Sequence, residues 1–101
     1  MNGEKHDENK NRLELIPPES LLYLGQVLTF GANKYEPWGW VNVDRATERY
    51  YGAALRHLMA WANGNPIDKE SGLPHLAHAL CNIVFLLELD IKNETISRPS
   101  T

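Results

Sequence analysis

Three stretches with the spacing of amphipathic helices, separated by proline and glycine breaks, restrict this chain to an all-α fold. Each predicted helix begins near a proline or a capping residue and ends at a glycine or a polar stop: Pro18 or Glu19 to Gly31, Asp44 or Arg45 to Asn63, and Ser71–Pro74 to Lys92. Asp44 and Ser71 are the predicted N-caps of the second and third helices. Residues 13–17 are predicted to be an extended lead-in, and only residues 13–15 and 41–43 resemble strands. The predicted fold is a small bundle of three main helices.

The length of 101 residues allows a single domain. We predict a polar N-terminal arm over residues 1–12, one helical domain over residues 13–92 and a polar tail over residues 93–101. A domain of this size buries well under about 70% of the surface of its unfolded chain. Association with further copies would bury more, so we expect a homo-oligomer that completes the bundle.

Charge and composition argue against several classes of partner. The formal net charge is −3 and no basic face is evident, so duplex DNA or RNA is not an expected partner. No apolar run approaches the roughly 20 residues of a membrane span, and the charged N-terminus does not resemble a signal peptide. Cys81 is the only cysteine, so it cannot form an intrachain disulfide and suits a reducing compartment. These features predict a cytoplasmic protein.

The third predicted helix carries a polar face that does not fit an ordinary core or solvent pattern. His75, His78 and Asn82 are spaced i, i+3, i+7, which places them on one side of the helix next to its apolar stripe. Both histidines lie near the N-terminal end, where free backbone N–H groups favour an anion. This face is therefore a candidate anion-binding site.

The second predicted helix places charged residues within an otherwise apolar segment. Arg49 and Arg56 are seven residues apart and share a face, and His57 follows directly. Antiparallel packing of the second and third helices would assemble one polar site from both helices and the loop between them: His57, Asp68, Glu70, His75 and His78. Such convergence favours a functional role over simple packing.

Structural explanations remain open for these residues. A histidine on an apolar helix is often a satisfied core or interface residue. Trp38 and Trp40 either pack in the fold or stack on a base. Lys34 and Arg49 are either surface groups or phosphate ligands. Asp68 and Glu70 fit turn and cap roles as well as functional ones. A transition metal held by His57, His75, His78 and a carboxylate is a further alternative. The sequence contains no P-loop, dinucleotide-binding glycine motif or nucleophile elbow.

Several blocks of the sequence resemble a phage-encoded family of dATP/dGTP diphosphohydrolases. The blocks are Arg12 to Glu19, Leu28 to Tyr35, Leu55 to Leu58 with Ala60, Trp61 and Gly64, Asp68 to Leu73, and His75 to Asn82. Together they extend over about residues 12–91. The resemblance implies an all-α fold akin to the MazG-like nucleotide pyrophosphohydrolases. Those are helical oligomers that cleave a nucleoside triphosphate to a monophosphate and pyrophosphate.

The resemblance also implies a metal, and here the sequence departs from the pattern. MazG-like enzymes hold Mg²⁺ with a Glu-x-x-Glu on one helix and a Glu-x-x-Asp on the next. His75 and His78 stand where carboxylates of the second motif would be, and Arg56 or His57 falls within the first. These side chains suit a phosphate better than Mg²⁺. Mg²⁺ or Mn²⁺ is the candidate cofactor, with no metal ligands assigned.

Two groups of candidate residues follow from the pattern and the resemblance together. The candidate catalytic residues are His57, Glu70, His75 and His78. The candidate substrate-binding residues are Lys34, Tyr35, Trp38, Trp40, Arg49, Arg56 and Asn82. In this interpretation His57 or Glu70 activates a water molecule as a base, and the cations and histidines stabilise the phosphate charge.

Three functions remain open from the sequence. The first is an enzyme that hydrolyses the purine deoxynucleoside triphosphates dATP and dGTP in the cytoplasm of a phage-infected host. The second is a non-catalytic sponge that sequesters a nucleotide-derived immune signal, of cyclic dinucleotide, cyclic oligonucleotide or ADP-ribose type, to counter anti-phage defence. The missing carboxylates favour this second function. The third is a helical interaction module whose histidines are interface residues.

Overall fold

The computed structural model describes residues 10–101 and contains three long helices within that range. These are α1 (Pro18–Lys34), α2 (Ala46–Ala62) and α3 (His75–Lys92), with short 3-10 turns at Leu13–Leu15 and Gly39–Asn42. The described residues form no strand, and an isolated bridge joins Ile67 to Pro74. The predicted all-α fold is confirmed. Residues 1–9, most of the predicted polar arm, lie outside the described residues, and none of the described helices is long and apolar enough to cross a membrane.

The predicted start of α1 is correct and the predicted end is wrong. Pro18 occupies the first turn, where its missing N–H costs nothing. The helix continues through Gly31 to Lys34, and the Tyr35 N–H donates to the Gly31 carbonyl at 2.8 Å. Pro37 disfavours helical geometry at the residue before it, so the chain leaves the helix there and not at the glycine.

Neither predicted N-cap is used. α2 begins after Arg45, which adopts a left-handed conformation at φ 53°, and the Asp44 side chain does not cap it. α3 begins at His75 with Pro74 before it, and Ser71 makes its hydrogen bonds elsewhere. Residues 13–15 and 41–43 are not strand-like, since short 3-10 turns occupy Leu13–Leu15 and Gly39–Asn42.

α2 and α3 run antiparallel, as two sets of contacts along their length show. At one end the His57 ring contacts the rings of His75 and His78. At the other end the Tyr50 ring lies 5.0 Å from the Phe85 ring, centroid to centroid. This alignment places the N-terminal turns of α3 beside the C-terminal half of α2, where the candidate site lies.

α1 packs on α3 through a small apolar core. Val27 of α1 and the small side chains Ala77 and Cys81 of α3 form its centre, and Leu24, Leu73 and Phe85 pack around it. Small residues on α3 allow the helices to approach closely. Burial raises the pKa of the Cys81 thiol to about 11, so it is an inert packing group.

Candidate functional site

The three histidines of α2 and α3 converge at one end of the bundle. His57 Nδ1 lies 2.9 Å from His75 Nδ1, which is hydrogen-bond distance. The His57 ring also stacks on the His78 ring, with centroids 4.6 Å apart and planes 10° from parallel. Antiparallel packing thus produces the convergence that the helical spacing predicted.

The contact between the two Nδ1 atoms restricts their protonation. In a hydrogen bond between two imidazole nitrogens, one must carry the proton and the other must accept it. Burial, and then the nearby His78 and His75 rings, lower the pKa of His57 below its ordinary value. His57 is therefore neutral near pH 7, and one proton is shared between the two Nδ1 atoms.

A second hydrogen-bonded chain joins Asp68, Ser71 and His78. The Ser71 hydroxyl donates to Asp68 Oδ2 at 2.8 Å, and the Ser71 backbone N–H donates to the same oxygen at 3.0 Å. Because the Ser71 proton is committed, His78 Nε2 is the donor to Ser71 Oγ at 2.7 Å. This arrangement fixes the tautomer of His78, with the proton on Nε2 and a lone pair on Nδ1.

The loop before α3 holds this chain in place by its backbone. The Asp68 N–H donates to the Leu73 carbonyl, and the Gly72 N–H donates to the Asp68 carbonyl, each at 2.8 Å. Gly72 adopts φ +72°, a conformation that glycine reaches without strain. The His75 N–H donates to the Pro66 carbonyl at 2.8 Å, which ties the first residue of α3 to the loop.

Burial and hydrogen bonding set the charges of Asp68 and His78. Burial raises the pKa of Asp68, but the two hydrogen bonds from Ser71 and the nearby histidines outweigh it, so this pKa is lowered overall. Burial also lowers the pKa of His78, although the Asp68 carboxylate, 3.6 Å from His78 Nε2, opposes that shift. The site near neutral pH is thus an anionic carboxylate beside neutral imidazoles.

The sequence places Asp68 at the predicted polar site, but neither Asp68 nor Ser71 is among the candidate catalytic or substrate-binding residues. They were interpreted as turn and cap residues, and Asp68 does stabilise the loop as a turn residue does. The available signal was the spacing: Ser71 lies three residues after Asp68 and seven before His78, so the loop and the first turn of α3 bring them together. Their side chains hold His78 as well as the loop.

Lys34 and Glu70 form an ion pair at the rim of the site. Lys34 Nζ donates to Glu70 Oε2, and this hydrogen bond raises the pKa of Lys34. Lys34 Nζ also lies 5.8 Å from the centre of the Phe30 ring, which makes an edge contact with His78. Glu70, a predicted base, is therefore engaged by a cation at the surface.

The remaining candidate binding residues differ in their surroundings. Trp40 stacks flat on Phe85 with ring centroids 4.4 Å apart, and its carbonyl accepts from the Tyr50 hydroxyl, so it packs in the bundle. Trp38 is 75% exposed. Asn82 donates to the backbone carbonyl of His78 at 2.9 Å. The others are exposed: Tyr35, Arg49 and Arg56.

The donor set of the cluster does not fit the Mg²⁺ that the resemblance implies. Mg²⁺ takes oxygen ligands in octahedral geometry, usually carboxylates, phosphates and water. His57 and His75 offer imidazole nitrogens, and Asp68 offers the carboxylate nearest to them. No four-carboxylate cage exists among residues 10–101 at this position, and the cofactor predicted from the sequence stays a prediction.

Comparisons with known proteins agree with the block resemblance. The family model described as dATP/dGTP diphosphohydrolase, N-terminal, matches residues 1–98. A Salmonella phage PMBT28 protein named dATP/dGTP diphosphohydrolase is 35% identical over 89 residues, which cover 88% of this chain and 30% of that protein. The chain thus spans about a third of the length of this curated relative. No solved structure matches this chain.

Proposed function

Because this chain belongs to the dATP/dGTP diphosphohydrolase, N-terminal, family, we propose that it binds purine deoxynucleoside triphosphates and takes part in their hydrolysis. The reaction adds water across the bond between the α- and β-phosphates of dATP or dGTP. Its products are the deoxynucleoside monophosphate and pyrophosphate. The name of the phage relative and the tautomer-fixed histidine support this proposal, whereas neither comparison favours the sequestering sponge.

His78 is the best placed general base. Its Nε2–H is committed to Ser71, so Nδ1 offers a lone pair to a water molecule. The water oxygen attacks the α-phosphorus, its proton passes to His78 Nδ1, and the bond to the bridging oxygen breaks as pyrophosphate leaves. The resulting imidazolium lies beside the Asp68 carboxylate, which stabilises its charge. Glu70 suits this role less because its side chain is 62% exposed at the rim and no hydrogen bond from the loop orients it toward the phosphate among the described residues.

The rim of the site offers groups for the rest of the nucleotide. Lys34 is an exposed cation that can exchange its Glu70 partner for a phosphate oxygen. Tyr35 and Trp38 lie one and four residues after it in the chain and are 71% and 75% exposed, so they are suited to stack on a purine. In this proposal the phosphates bind at the end of α1 and the base binds to the loop after it.

Pyrophosphate release from the purified 101-residue chain tests the proposal. We expect turnover of dATP and dGTP in the presence of Mg²⁺ or Mn²⁺, and a kcat at least about 100-fold lower for His78→Gln. Glu88→Gln, an exposed change elsewhere on α3, is the matched control and should retain kcat. If the folded protein turns over neither nucleotide with either metal, the proposal is overturned.

A further inference from the structure

We propose that His57, Asp68 and His75 form a binding site for one first-row transition-metal ion. One ligand atom from each of the three side chains lies within 4.8 Å of the other two. The residues come from α2, the loop and α3, so the fold itself brings them together. The ligands of this site differ from the four carboxylates of the MazG-like cage. The proposal goes beyond the proposed function because metal binding requires no nucleotide.

The separation of the two histidine nitrogens matches a pair of adjacent metal ligands. Imidazole nitrogens lie about 2.0–2.1 Å from a bound transition metal, so two of them are about 2.9 Å apart at a right angle and about 3.3 Å apart in a tetrahedron. His57 Nδ1 and His75 Nδ1 are 2.9 Å apart. The two nitrogens thus have the spacing of two ligands on one metal ion, which would displace their shared proton to the Nε2 atom of the same ring.

The third ligand is already held in place. Within the described residues, the hydrogen bonds to the Asp68 carboxylate all reach Oδ2, and both come from Ser71. The other carboxylate oxygen is left for a metal ion. A carboxylate that is fixed by neighbouring hydrogen bonds is typical of a metal ligand, because those bonds set its orientation.

His78 supports this site without being one of its ligands. Its Nε2 is engaged by Ser71, and its ring stacks on His57 and fixes the plane of that ring. His78 therefore remains free for the base role, while His57 and His75 bind the ion.

The chemistry of the donors selects the class of metal. Two imidazole nitrogens and one carboxylate oxygen suit ions such as Zn²⁺, Mn²⁺ and Co²⁺, and they do not suit Mg²⁺, which prefers oxygen alone. Three protein ligands leave further positions for water or a phosphate oxygen. The ion would be partly accessible, since all three residues are half-buried.

Titration calorimetry of the metal-stripped 101-residue chain, without nucleotide, tests the proposal. We expect one Zn²⁺ or Co²⁺ ion per chain, bound at least about 100-fold more tightly than Mg²⁺. Asp68→Asn and His75→Gln should each weaken Zn²⁺ binding by at least about 10-fold. The matched control is His6→Gln, which removes a histidine outside the described residues and should bind Zn²⁺ as the unaltered chain does.

Long-range ¹H–¹⁵N spectra of the unaltered chain give the same test without any substitution. Zn²⁺ should shift the Nδ1 signals of His57 and His75 while His78 keeps its Nε2–H tautomer. The proposal is overturned if Zn²⁺ binds no more tightly than Mg²⁺, if His6→Gln abolishes binding, or if the shifted nitrogens belong to other histidines. Because nucleotide is absent throughout, failure here and failure of nucleotide hydrolysis are separate results.

Discussion

At the scale of single residues, the Ser71 hydroxyl is the link on which the candidate base depends. It accepts from His78 and donates to Asp68, and it also accepts from the Leu73 backbone N–H at 3.2 Å. Three partners around one oxygen atom explain why a small hydroxyl residue stands between α2 and α3. Without it, His78 Nε2 loses the hydrogen bond that holds the proton on that nitrogen.

Ser71→Ala should lower the free energy of unfolding by about 1–2 kcal/mol, because half-buried partners lose their hydrogen bonds. His78 should then populate both neutral tautomers. Urea unfolding measures the first effect and ¹⁵N chemical shifts of the imidazole measure the second. Ser71→Thr keeps the hydroxyl and is the control; equal behaviour of the alanine and threonine variants would contradict this role for the hydroxyl.

At the scale of elements, the sequence predicts the helices better than the turns that position them. Apolar periodicity identified all three helices, since burial of one face determines where they form. The end of α1 was predicted too early, at Gly31. A glycine within a helix lowers its stability but does not end it, and α1 continues through Gly31 to Lys34. The cap role expected of Ser71 was wrong because tertiary contacts with Asp68 and His78 compete for its hydroxyl.

The sequence predicted the histidine cluster but not the exposure of the tryptophans. Helical spacing and antiparallel packing of two neighbouring helices are enough to predict that His57, His75 and His78 converge. Side-chain exposure was not predictable from residue type: Trp40 packs on Phe85, whereas Trp38, two residues earlier, is exposed. A local twist of the chain decides this, as Trp38 adopts φ 63° just before the 3-10 turn.

The loop before α3 depends on one backbone conformation, so a matched pair of glycine substitutions tests it. Gly72→Ala should lower the free energy of unfolding by about 1 kcal/mol because of its positive φ. Gly25→Ala, within α1, should raise it by about 0.5–1 kcal/mol through helix propensity. A Cβ at either position meets no atom within 4 Å, so backbone conformation is the variable.

Urea denaturation compares the two variants, and Zn²⁺ titration shows whether the loop has moved Asp68. Opposite signs of the two stability changes are expected. Two changes of the same sign would mean that the conformation of Gly72 contributes little to this loop.

At the scale of the whole molecule, much of the apolar surface of α1 is uncovered. Leu21 and Leu22 are 55% and 66% exposed, and they line a groove with Phe30 and Leu73 that reaches Ser71. Adjacent exposed leucines of this kind usually mark an association surface. The homo-oligomer expected from the sequence remains a prediction, and this face is where we expect a second copy to bind.

Sedimentation velocity at micromolar concentrations tests that prediction. The unaltered chain should sediment as an oligomer, and Leu22→Glu should shift it to the monomer because a charge at the interface would lose its hydration. Thr47→Glu, at an exposed position on α2, is the control and should leave the oligomer intact. A monomer for the unaltered chain would rule out this surface as a self-association site.

The helix–loop–helix order of the site has a consequence for how the protein is made. The residues of both hydrogen-bonded networks, from His57 to His78, belong to one uninterrupted stretch of chain. Contacts between residues close in sequence form early and quickly in folding. A ribosome that has released this stretch has released the whole site, so its geometry can arise in the nascent polypeptide before α3 is complete.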